Sequence, residues 1–323
     1  MLPALHEEER VTGAIAHRPV LLHETIDLLA PRLGATVVDG TLGAAGHAYA
    51  LLEAVGPDGR LFGIDRDLEA LEIARARLAA FGDRFTPLHG RHEDLTRLLR
   101  DAGVFACHAM LFDLGVSSMQ LDRPERGFSF RHDAVLDMRM DASRGESAAD
   151  LLARIEEPDL RRIIFRWGEE KRSGAIARAI VRERERRPLV RTAQLAELVE
   201  RVAGPAARRW RIHPATRTFQ ALRIVVNGEI EGLEQLVKDA VATLPRGGRL
   251  AVISYHSLED RAIKTAMRAL ANRCSCPRKL PVCGCGKQNL VRVLTRRPIR
   301  PGDKEIDRNP RSRSARLRVA ERL

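Results

Sequence analysis

Short apolar segments alternate with helical stretches between Ala35 and Leu121, and this alternation restricts the fold more than any other feature of the sequence. The strand candidates are Ala35–Asp39, Arg60–Asp65, Phe85–His89 and Ala109–Asp113. Helical patterns follow the first two of them, over His47–Val55 and Leu68–Phe81. Because strands separated by helices form βαβ units, the pattern predicts a parallel sheet with helices on both faces.

The second half of the chain first loses and then regains the strand pattern. Residues 141–212 show helical periodicity without strand candidates, which predicts a small all-helical insert domain. A long helix is predicted over Thr216–Leu244, followed by a fifth strand at Arg249–Ser254. Leu290–Thr295 and Ala315–Ala320 alternate with period two, which suits a terminal antiparallel pair.

Five parallel strands and a closing pair resemble the sheet of the class I S-adenosylmethionine-dependent methyltransferases. That fold class is α/β and Rossmann-like, with a mainly parallel seven-stranded sheet. We therefore expect a first part of this domain at residues 1–140, a helical insert for substrate recognition at 141–212, and a second part with a basic tail at 213–323.

The charge is divided unevenly along the chain. Residues 1–141 carry 15 basic and 22 acidic side chains, a net charge of −7, whereas residues 142–323 carry 40 basic and 21 acidic side chains, a net charge of +19. Ordinary solvated helix faces could account for part of this excess. A surface that binds nucleic acid explains it better.

The sequence predicts a soluble, cytoplasmic protein without a membrane partner. No apolar run approaches the ~18–20 residues that a membrane helix needs, and the segment from Met1 to His17 lacks a signal-peptide pattern. Five cysteines are too few for a disulfide framework, which favours a reducing compartment. Cys107 is expected in the core.

The other four cysteines form two C-x-C pairs separated by six residues. They are Cys274, Cys276, Cys283 and Cys285. Such an array could close a tetrahedral structural zinc site, although C-x-C is tighter than the usual C-x₂-C spacing. The alternative is a reduced, cysteine-rich loop. The sequence alone leaves both interpretations open.

A glycine-rich turn, Asp39-Gly-Thr-Leu-Gly-Ala-Ala-Gly46, joins the first strand to its helix. Glycines allow the backbone to approach a ligand closely, and Asp65 at the end of the next strand could accept hydrogen bonds from ribose hydroxyls. The dinucleotide spacing G-x-G-x-x-G is absent. This favours S-adenosylmethionine, which has no pyrophosphate, over a nicotinamide cofactor; a tight turn without a ligand is the plainer alternative.

A second run of polar residues, from Asp113 to Asp122, leaves the fourth strand at the edge of the sheet where α/β proteins bind ligands. It is followed by Phe128 and Phe130 and by Asp137-Met-Arg-Met140. A carboxylate, hydroxyls, an amide and two aromatic rings would suit a planar base. The two phenylalanines could instead pack the insert against the sheet.

Several longer motifs resemble the RsmH (MraW) family over nearly the whole chain. They are His17-Arg-Pro-Val-Leu-Leu22, Asp39-Gly-Thr41, Asp113-Leu-Gly-Val-Ser-Ser118, Arg126-Gly-Phe-Ser-Phe130, Asp137-Met-Arg-Met140, His213-Pro-Ala-Thr-Arg-Thr-Phe-Gln220, Ile253-Ser-Tyr-His-Ser-Leu-Glu-Asp-Arg261 and Asn309-Pro-Arg-Ser-Arg-Ser-Ala315. The resemblance implies a methyltransferase that modifies the exocyclic N4 of a cytosine in the decoding region of bacterial 16S rRNA. It also implies S-adenosylmethionine as cofactor and the small ribosomal subunit, or its precursor, as the setting of the RNA partner.

The resemblance also implies which residues contact the cofactor. These are Ala45, Gly46, His47, Asp65, His92, Asp113 and Gln120. Two positions depart from the family pattern. Ala45 stands where the family usually has glycine, and His92 stands where it more often has phenylalanine, so less apolar area is offered to an adenine ring.

For the chemistry we predict Asp113 as the acceptor of the amine proton, with Ser117 and His256 as further candidates. Asp113 could instead hold only the cofactor. Phe128, Phe130 and Arg139 are assigned to the RNA substrate. Arg217 and Arg223, facing one way from a helix, and the tail residues Arg311, Arg313 and Arg316 are assigned to its phosphates.

Two other functions remain open at this point. A nicotinamide-dependent oxidoreductase is disfavoured by the missing dinucleotide motif and by the basic C-terminal half. A non-catalytic RNA-binding or assembly factor is disfavoured because the cofactor turn and Asp65 are intact. Measuring the binding of S-adenosylmethionine and of NAD by calorimetry would separate these two functions and the methyltransferase.

Overall fold

The fold is built on a twisted, mostly parallel sheet. In a computed structural model, which describes residues 19–116, 123–210, 212–272, 276 and 284–323, the strands are β1 (Thr36–Asp39), β2 (Arg60–Asp65), β3 (Phe85–His89), β4 (Ala109–Asp113), β5 (Arg249–Ser254), β6 (Val291–Val293) and β7 (Arg316–Arg322). Their order is β3-β2-β1-β4-β5-β7-β6, and only β7 runs antiparallel to its neighbours β5 and β6. This is the class I methyltransferase arrangement, and the predicted fold class is confirmed.

Helices cover both faces of this sheet and build a separate helical part. Their bounds are α1 (Leu22–Leu29), α2 (Gly46–Val55), α3 (Leu68–Arg77), α4 (Leu95–Asp101), α5 (Ala148–Arg154), α6 (Glu157–Gly168), α7 (Ser173–Arg184), α8 (Thr192–Ala203), α9 (Thr216–Asn227), α10 (Leu233–Thr243), α11 (Ser257–Ala271) and α12 (Asp303–Arg308). Among the described residues, no helix combines the length and the apolar character that crossing a bilayer requires.

Alternation along the buried strands supplies two apolar layers. In β4, Met110 and Phe112 face the layer that contains α4, α10 and α11, whereas Leu111 faces the layer of α1, α2 and α3. Val37 and Val38 of β1 divide in the same way. Since every second side chain of a strand points to the same face, a strand that is apolar throughout requires helices on both sides.

The helical part has its own apolar core. Helices α5 to α8 were each predicted from periodicity, and the structure contains all four. Their core also takes in Phe128, Met138 and Met140 from the preceding segment and Phe219 and Leu222 from α9. Helix α9 therefore packs against the helical part while its C-terminal end reaches the sheet.

The single long helix predicted over Thr216–Leu244 is wrong. The chain forms α9 and α10 instead, with an intervening turn. Gly228 and Gly232 in this turn have φ values of 62° and 85°. Residues with a β-carbon rarely adopt such values, so the two glycines allow the chain to leave one helix and start another at a new angle.

Candidate active site

A cavity of about 310 Å³ opens at the carboxyl ends of the parallel strands. The turn after β1, the end of β2, the segment after β3, the end of β4 and the segment after β5 all contribute to its walls. Of the predicted cofactor contacts, Gly46, His47, Asp65, His92 and Asp113 line it; Arg223 and Arg311, which are assigned to RNA phosphates, line it as well. The sheet therefore brings together predicted cofactor contacts that are up to 67 positions apart in the sequence, as the strand pattern predicted.

The glycine turn after β1 is tightly confined by its surroundings. A β-carbon on Gly40 would lie 2.0 Å from the ring of Phe112, and one on Gly46 would lie 2.4 Å from Pro19. The backbone N–H of Gly43 donates to Oδ2 of Asp65 at 2.8 Å. This hydrogen bond ties the turn to β2, so the floor of the cavity is formed before any ligand enters.

Ala45 contributes differently from the prediction. Its side chain is fully buried in the apolar layer beside α2 and does not line the cavity. Its backbone N–H donates to the carbonyl of Leu42 at 2.7 Å. With φ at 58° it holds the left-handed conformation that glycine adopts more easily. Alanine at this position therefore carries backbone strain.

Asp65 presents a carboxylate that is only partly satisfied by the backbone. Its oxygens accept from the N–H groups of Gly43 and Asp67 at 2.8 and 2.9 Å. Burial raises the pKa of Asp65, and these two hydrogen bonds act in the opposite direction. Each carboxylate oxygen can accept a second hydrogen bond, so Asp65 retains acceptor capacity toward the cavity.

Asp113 is the most constrained acidic residue of the cavity. The Tyr255 hydroxyl donates to its Oδ1 at 2.9 Å, and Nδ1 of His47 lies 3.7 Å from its Oδ2. The other ring nitrogen of His47 lies 3.0 Å from the carbonyl of Val20 and must donate to it, which leaves Nδ1 unprotonated in the neutral ring. Burial raises the pKa of Asp113 to about 7.

A second buried acid stands behind Asp113. Asp39 is 1% exposed, and its Oδ1 accepts from the backbone N–H of Thr41 at 3.1 Å. Burial raises its pKa to about 7 as well. Asp39 itself does not line the cavity, but a positively charged ligand there would favour the ionised forms of both carboxyl groups.

His92 lines the cavity as a neutral ring. Burial lowers its pKa to about 4, and the guanidinium groups of Arg66 and Arg91 act in the same direction. Its Nε2 is buried and has no hydrogen-bond partner among the described residues. A flat, uncharged imidazole in the wall can stack on a heteroaromatic ring, as predicted for this position.

His256 does not lie where a substrate could reach it. It precedes α11, where its Nδ1 accepts from the backbone N–H of Glu259 at 3.3 Å, and it is absent from the cavity wall. Glu259 reciprocates by accepting from the N–H groups of Tyr255 and His256. The assignment of His256 as a catalytic candidate is therefore corrected: it caps a helix, and Tyr255 is the residue of this motif that faces Asp113.

The residues assigned to RNA are divided between buried and exposed positions. Phe128 is 8% exposed and belongs to the helical core, whereas Phe130 is half-buried against the rings of His213 and Phe219. The guanidinium of Arg139 binds the carboxylate of Asp137 at 2.7 and 2.8 Å. The packing role considered for the two phenylalanines thus applies fully to Phe128.

Arg217 and Arg223 do not present one continuous face. Arg217 is half exposed, with Glu170 at 3.8 Å. Arg223 is 18% exposed, and both oxygens of Glu229 accept from it at 2.8 Å. The assignment of Arg223 to an RNA phosphate is corrected for this reason, because a buried carboxylate already occupies its hydrogen-bonding fork.

Sequence reasoning missed several contributors to the cavity. Tail residues Asn309, Arg311 and Ser314 line it, and so does Arg66, which follows Asp65 directly. The tail arginines are assigned to RNA phosphates, yet part of the tail forms a wall of this cavity. Arg316, assigned to phosphate, lies 3.7 Å from Asp260. Arg66 could have been predicted in the cavity wall because it follows Asp65, the acid at the end of β2. No local sequence pattern indicates that the tail reaches the cavity.

Four predicted site residues, Ser117, Gln120, Cys274 and Cys283, lie outside the described residues. The zinc assignment to the cysteine array therefore remains a prediction. Within the described ranges, one group of potential metal ligands comes together, namely Glu229, His256 and Glu259. Arg223 already supplies a cation to this group through Glu229.

Comparison with known proteins agrees with the motifs. Ribosomal RNA small subunit methyltransferase H of Trichlorobacter lovleyi is 53% identical over 310 residues, covering 95% of this chain and 98% of that protein. The protein of the same name from Geobacter sulfurreducens is 51% identical over 308 residues, covering 95% and 99%. A sequence model described as the MraW methylase family matches residues 14–323. The chain therefore belongs to the MraW methylase family.

Proposed function

We propose that this protein transfers a methyl group from S-adenosylmethionine to the exocyclic N4 of a cytosine in the decoding region of 16S rRNA. The observation that carries the proposal is that Asp65 and Asp113, at the carboxyl ends of β2 and β4, line the same cavity. Relatives about half identical over 95% of the chain carry the name of small-subunit rRNA methyltransferases.

The residues of the cavity fit S-adenosylmethionine. Asp65 offers acceptor oxygens for ribose hydroxyls, and the neutral ring of His92 offers a stacking surface for adenine. The carboxyl group of Asp113, which lines the cavity, suits the positively charged methionine end of that cofactor, and the buried Asp39 lies behind it. When bound, the cofactor would supply an electrophilic methyl group. Gly46 and His47 line the same cavity, and Gln120 remains a predicted contact.

Asp113 is the proposed acceptor for the proton of the cytosine amine. The lone pair of that amine is delocalised into the ring, so an acceptor on the N–H would make the nitrogen a better nucleophile. Tyr255 holds one oxygen of Asp113 in place and leaves the other turned toward His47. A carboxyl group with a pKa of about 7 can both accept and release a proton near neutral pH. In the alternative role, Asp113 holds only the cofactor; Ser117 stays a candidate for contacting the base.

RNA recognition is assigned to the helical insert, to individual side chains on either side of it and to the basic tail. We propose residues 1–140 and 213–323 as the two parts of the catalytic domain and residues 141–212 as the substrate-recognition insert. Phe130, Arg139 and Arg217 remain the proposed contacts with RNA, and the target base would be flipped into the cavity if it is stacked in the substrate. The substrate would be 16S rRNA within the small subunit or its precursor, in the cytoplasm.

The test is methyl transfer by the purified protein to bacterial 16S rRNA and to small subunits, with mass mapping of the modified nucleotide. We expect one methylated cytosine at N4 in the decoding region. Methylation of another base, or binding of NAD in place of S-adenosylmethionine, would refute the proposal. Cofactor binding and RNA binding without any methyl transfer would favour the assembly factor.

A further inference from the structure

A second cavity, of about 290 Å³, adjoins the first, and five of its twelve lining residues are arginines. Arg66, Gly90 and Arg91 line both cavities, so the two are neighbours across the segment after β3. The guanidinium groups in its wall are those of Arg66, Arg91, Arg97, Arg139 and Arg144. Among the described residues, Asp94 and Asp141 are the two carboxylates of that wall.

Three of these arginines have carboxylate partners. Arg91 pairs with Glu93 at 2.9 Å and Arg139 with Asp137 at 2.7 Å. Arg97 lies between Asp94 and Asp101 at 3.4 and 3.5 Å. Their charge is partly balanced, although each guanidinium has five donors and retains N–H groups for a further acceptor.

Arg66 and Arg144 differ from the other three. Within the part of the chain that the structure describes, neither has a carboxylate oxygen within 4.0 Å. Arg66 donates to the carbonyl of Asn227 at 3.2 Å and contacts the sulfur of Met140. Burial lowers its pKa, whereas the more distant carboxylates of Glu229, Asp65 and Glu93 raise it. A half-buried cation that faces a cavity and has no carboxylate in direct contact favours an anion there.

The walls of this second cavity are held in place by Asn227 at the end of α9. Its side-chain amide donates to the carbonyl of Met138 at 2.7 Å, and its Oδ1 accepts from the N–H of Met140 at 2.8 Å. This side chain is 7% exposed. It fixes the residues on either side of Arg139, and the backbone carbonyl of Asn227 accepts from Arg66, so Arg139 and Arg66 are arranged before a ligand arrives. Arg144 is exposed at the rim of the cavity.

We propose that this second cavity binds one phosphate group of the RNA substrate, with Arg66 and Arg144 as its main donors. The assignment of the phosphate to RNA rests on the proposed function. S-adenosylmethionine has no phosphate, so the cofactor itself would leave the second cavity open. Arginine forks match the oxygens of a phosphate in geometry and charge. Most of the residues that line the cavity belong to residues 1–141, the part of the chain that is acidic in sum, which is why regional charge did not reveal it.

The experiment compares two double variants of equal charge. Arg97→Ala/Arg144→Ala removes side chains that line only the second cavity, whereas Arg75→Ala/Arg100→Ala removes two exposed arginines that line neither cavity. Binding of a single-stranded RNA containing the decoding-region sequence is followed by fluorescence anisotropy over a range of salt concentrations. Cofactor affinity is measured by calorimetry, and thermal unfolding reports on the fold.

We expect the Arg97/Arg144 variant to bind RNA roughly tenfold more weakly than the control variant, because hydrogen bonds to a charged group are lost. The slope of log affinity against log salt should become shallower by about 0.7, the contribution of one phosphate on a single strand. Cofactor affinity should match that of the unaltered protein. Equal RNA affinities and equal slopes in the two variants would overturn the proposal.

Two further measurements separate the sources of phosphate and the two proposals. Inorganic phosphate is titrated into the unaltered protein and used as a competitor of RNA, and competition is expected. If phosphate binding is lost in the Arg97/Arg144 variant while RNA binding equals the control, the site serves a free anion and the RNA assignment is refuted. Absence of methyl transfer by the unaltered protein, with the difference in slope still present, would refute the proposed function and leave the phosphate site in place.

Discussion

Replacing Asp113 by asparagine should make the protein more stable above pH 7 and less active. The change keeps the shape of the side chain and an oxygen that can accept from the Tyr255 hydroxyl, which donates to Oδ1 of Asp113 at 2.9 Å in the parent protein. It removes the charge that burial disfavours. If Asp113 accepts the amine proton, turnover should fall much further than cofactor affinity; if it only holds the cofactor, both should fall together.

The magnitude follows from the pKa of Asp113, which burial raises from 3.8 to about 7. A rise of about three pH units corresponds to ~4 kcal/mol, which is an upper limit. One fifth of the side chain is exposed, so water screens part of this cost and we expect about 1–2 kcal/mol. For a chain of 323 residues this is roughly 2–3 °C in melting temperature.

The difference in stability between the Asp113→Asn variant and the parent protein depends on pH. Below pH 4 the carboxyl group is protonated in both the folded and the unfolded chain, and the substitution should be nearly neutral. Between pH 4 and 7 the unfolded chain loses its proton first, so the parent protein loses stability relative to the variant. Calorimetry at pH 5 and pH 8 tests this. An equal gain at both values, or a lower melting temperature of the variant at pH 8, would refute the reasoning.

Three further predictions concern neighbouring positions. Asp65→Ala should weaken S-adenosylmethionine binding by ~1–3 kcal/mol, measured by calorimetry, with an unchanged circular dichroism spectrum, because a partner of the ribose hydroxyls is lost; normal affinity would exclude the ribose contact. His92→Phe should raise the free energy of unfolding by about 1 kcal/mol and tighten cofactor binding, since it removes a buried nitrogen without a described partner and adds apolar area; weaker binding would contradict a stacking role. Arg313→Ala should flatten the salt dependence of RNA binding, whereas Arg316→Ala should lower the melting temperature and leave that slope unchanged, because Asp260 lies 3.7 Å from Arg316. If the slope of log affinity against log salt is the same in both variants and in the unaltered protein, Arg313 does not bind a phosphate.

The sheet was predictable because β1, β2, β4 and β5 are short apolar segments and because β6 and β7 alternate with period two. All seven strand candidates are present, and β2, β3, β4 and β5 have the predicted bounds. The break between α9 and α10 was missed because Gly228-Glu-Ile-Glu-Gly232 keeps apolar residues at helical spacing. Only the positive φ values of its glycines, which the pattern does not contain, separate the helices.

The cavity was predictable where a residue follows a strand, and unpredictable where distant segments meet. Asp65 and Asp113 are predictable from their positions at the ends of β2 and β4, whereas His92 was implied only by the family resemblance. Arg223 was misassigned because its partner Glu229 lies beyond the end of the helix, where helical spacing says nothing about contacts. His256 was misassigned because a residue beside a strand end can either face the cavity or cap the following helix.

The position of β7 between β5 and β6 has a consequence for synthesis on the ribosome. β6 is made before β7, yet its pairing partner in the described sheet is β7. While the chain emerges, β5 therefore presents an open edge, and β6 has no sheet to join. The tail segment that lines the cavity at the strand ends immediately precedes β7. A nascent chain can thus assemble its parallel strands early, but it completes both the sheet and the cavity in one late step.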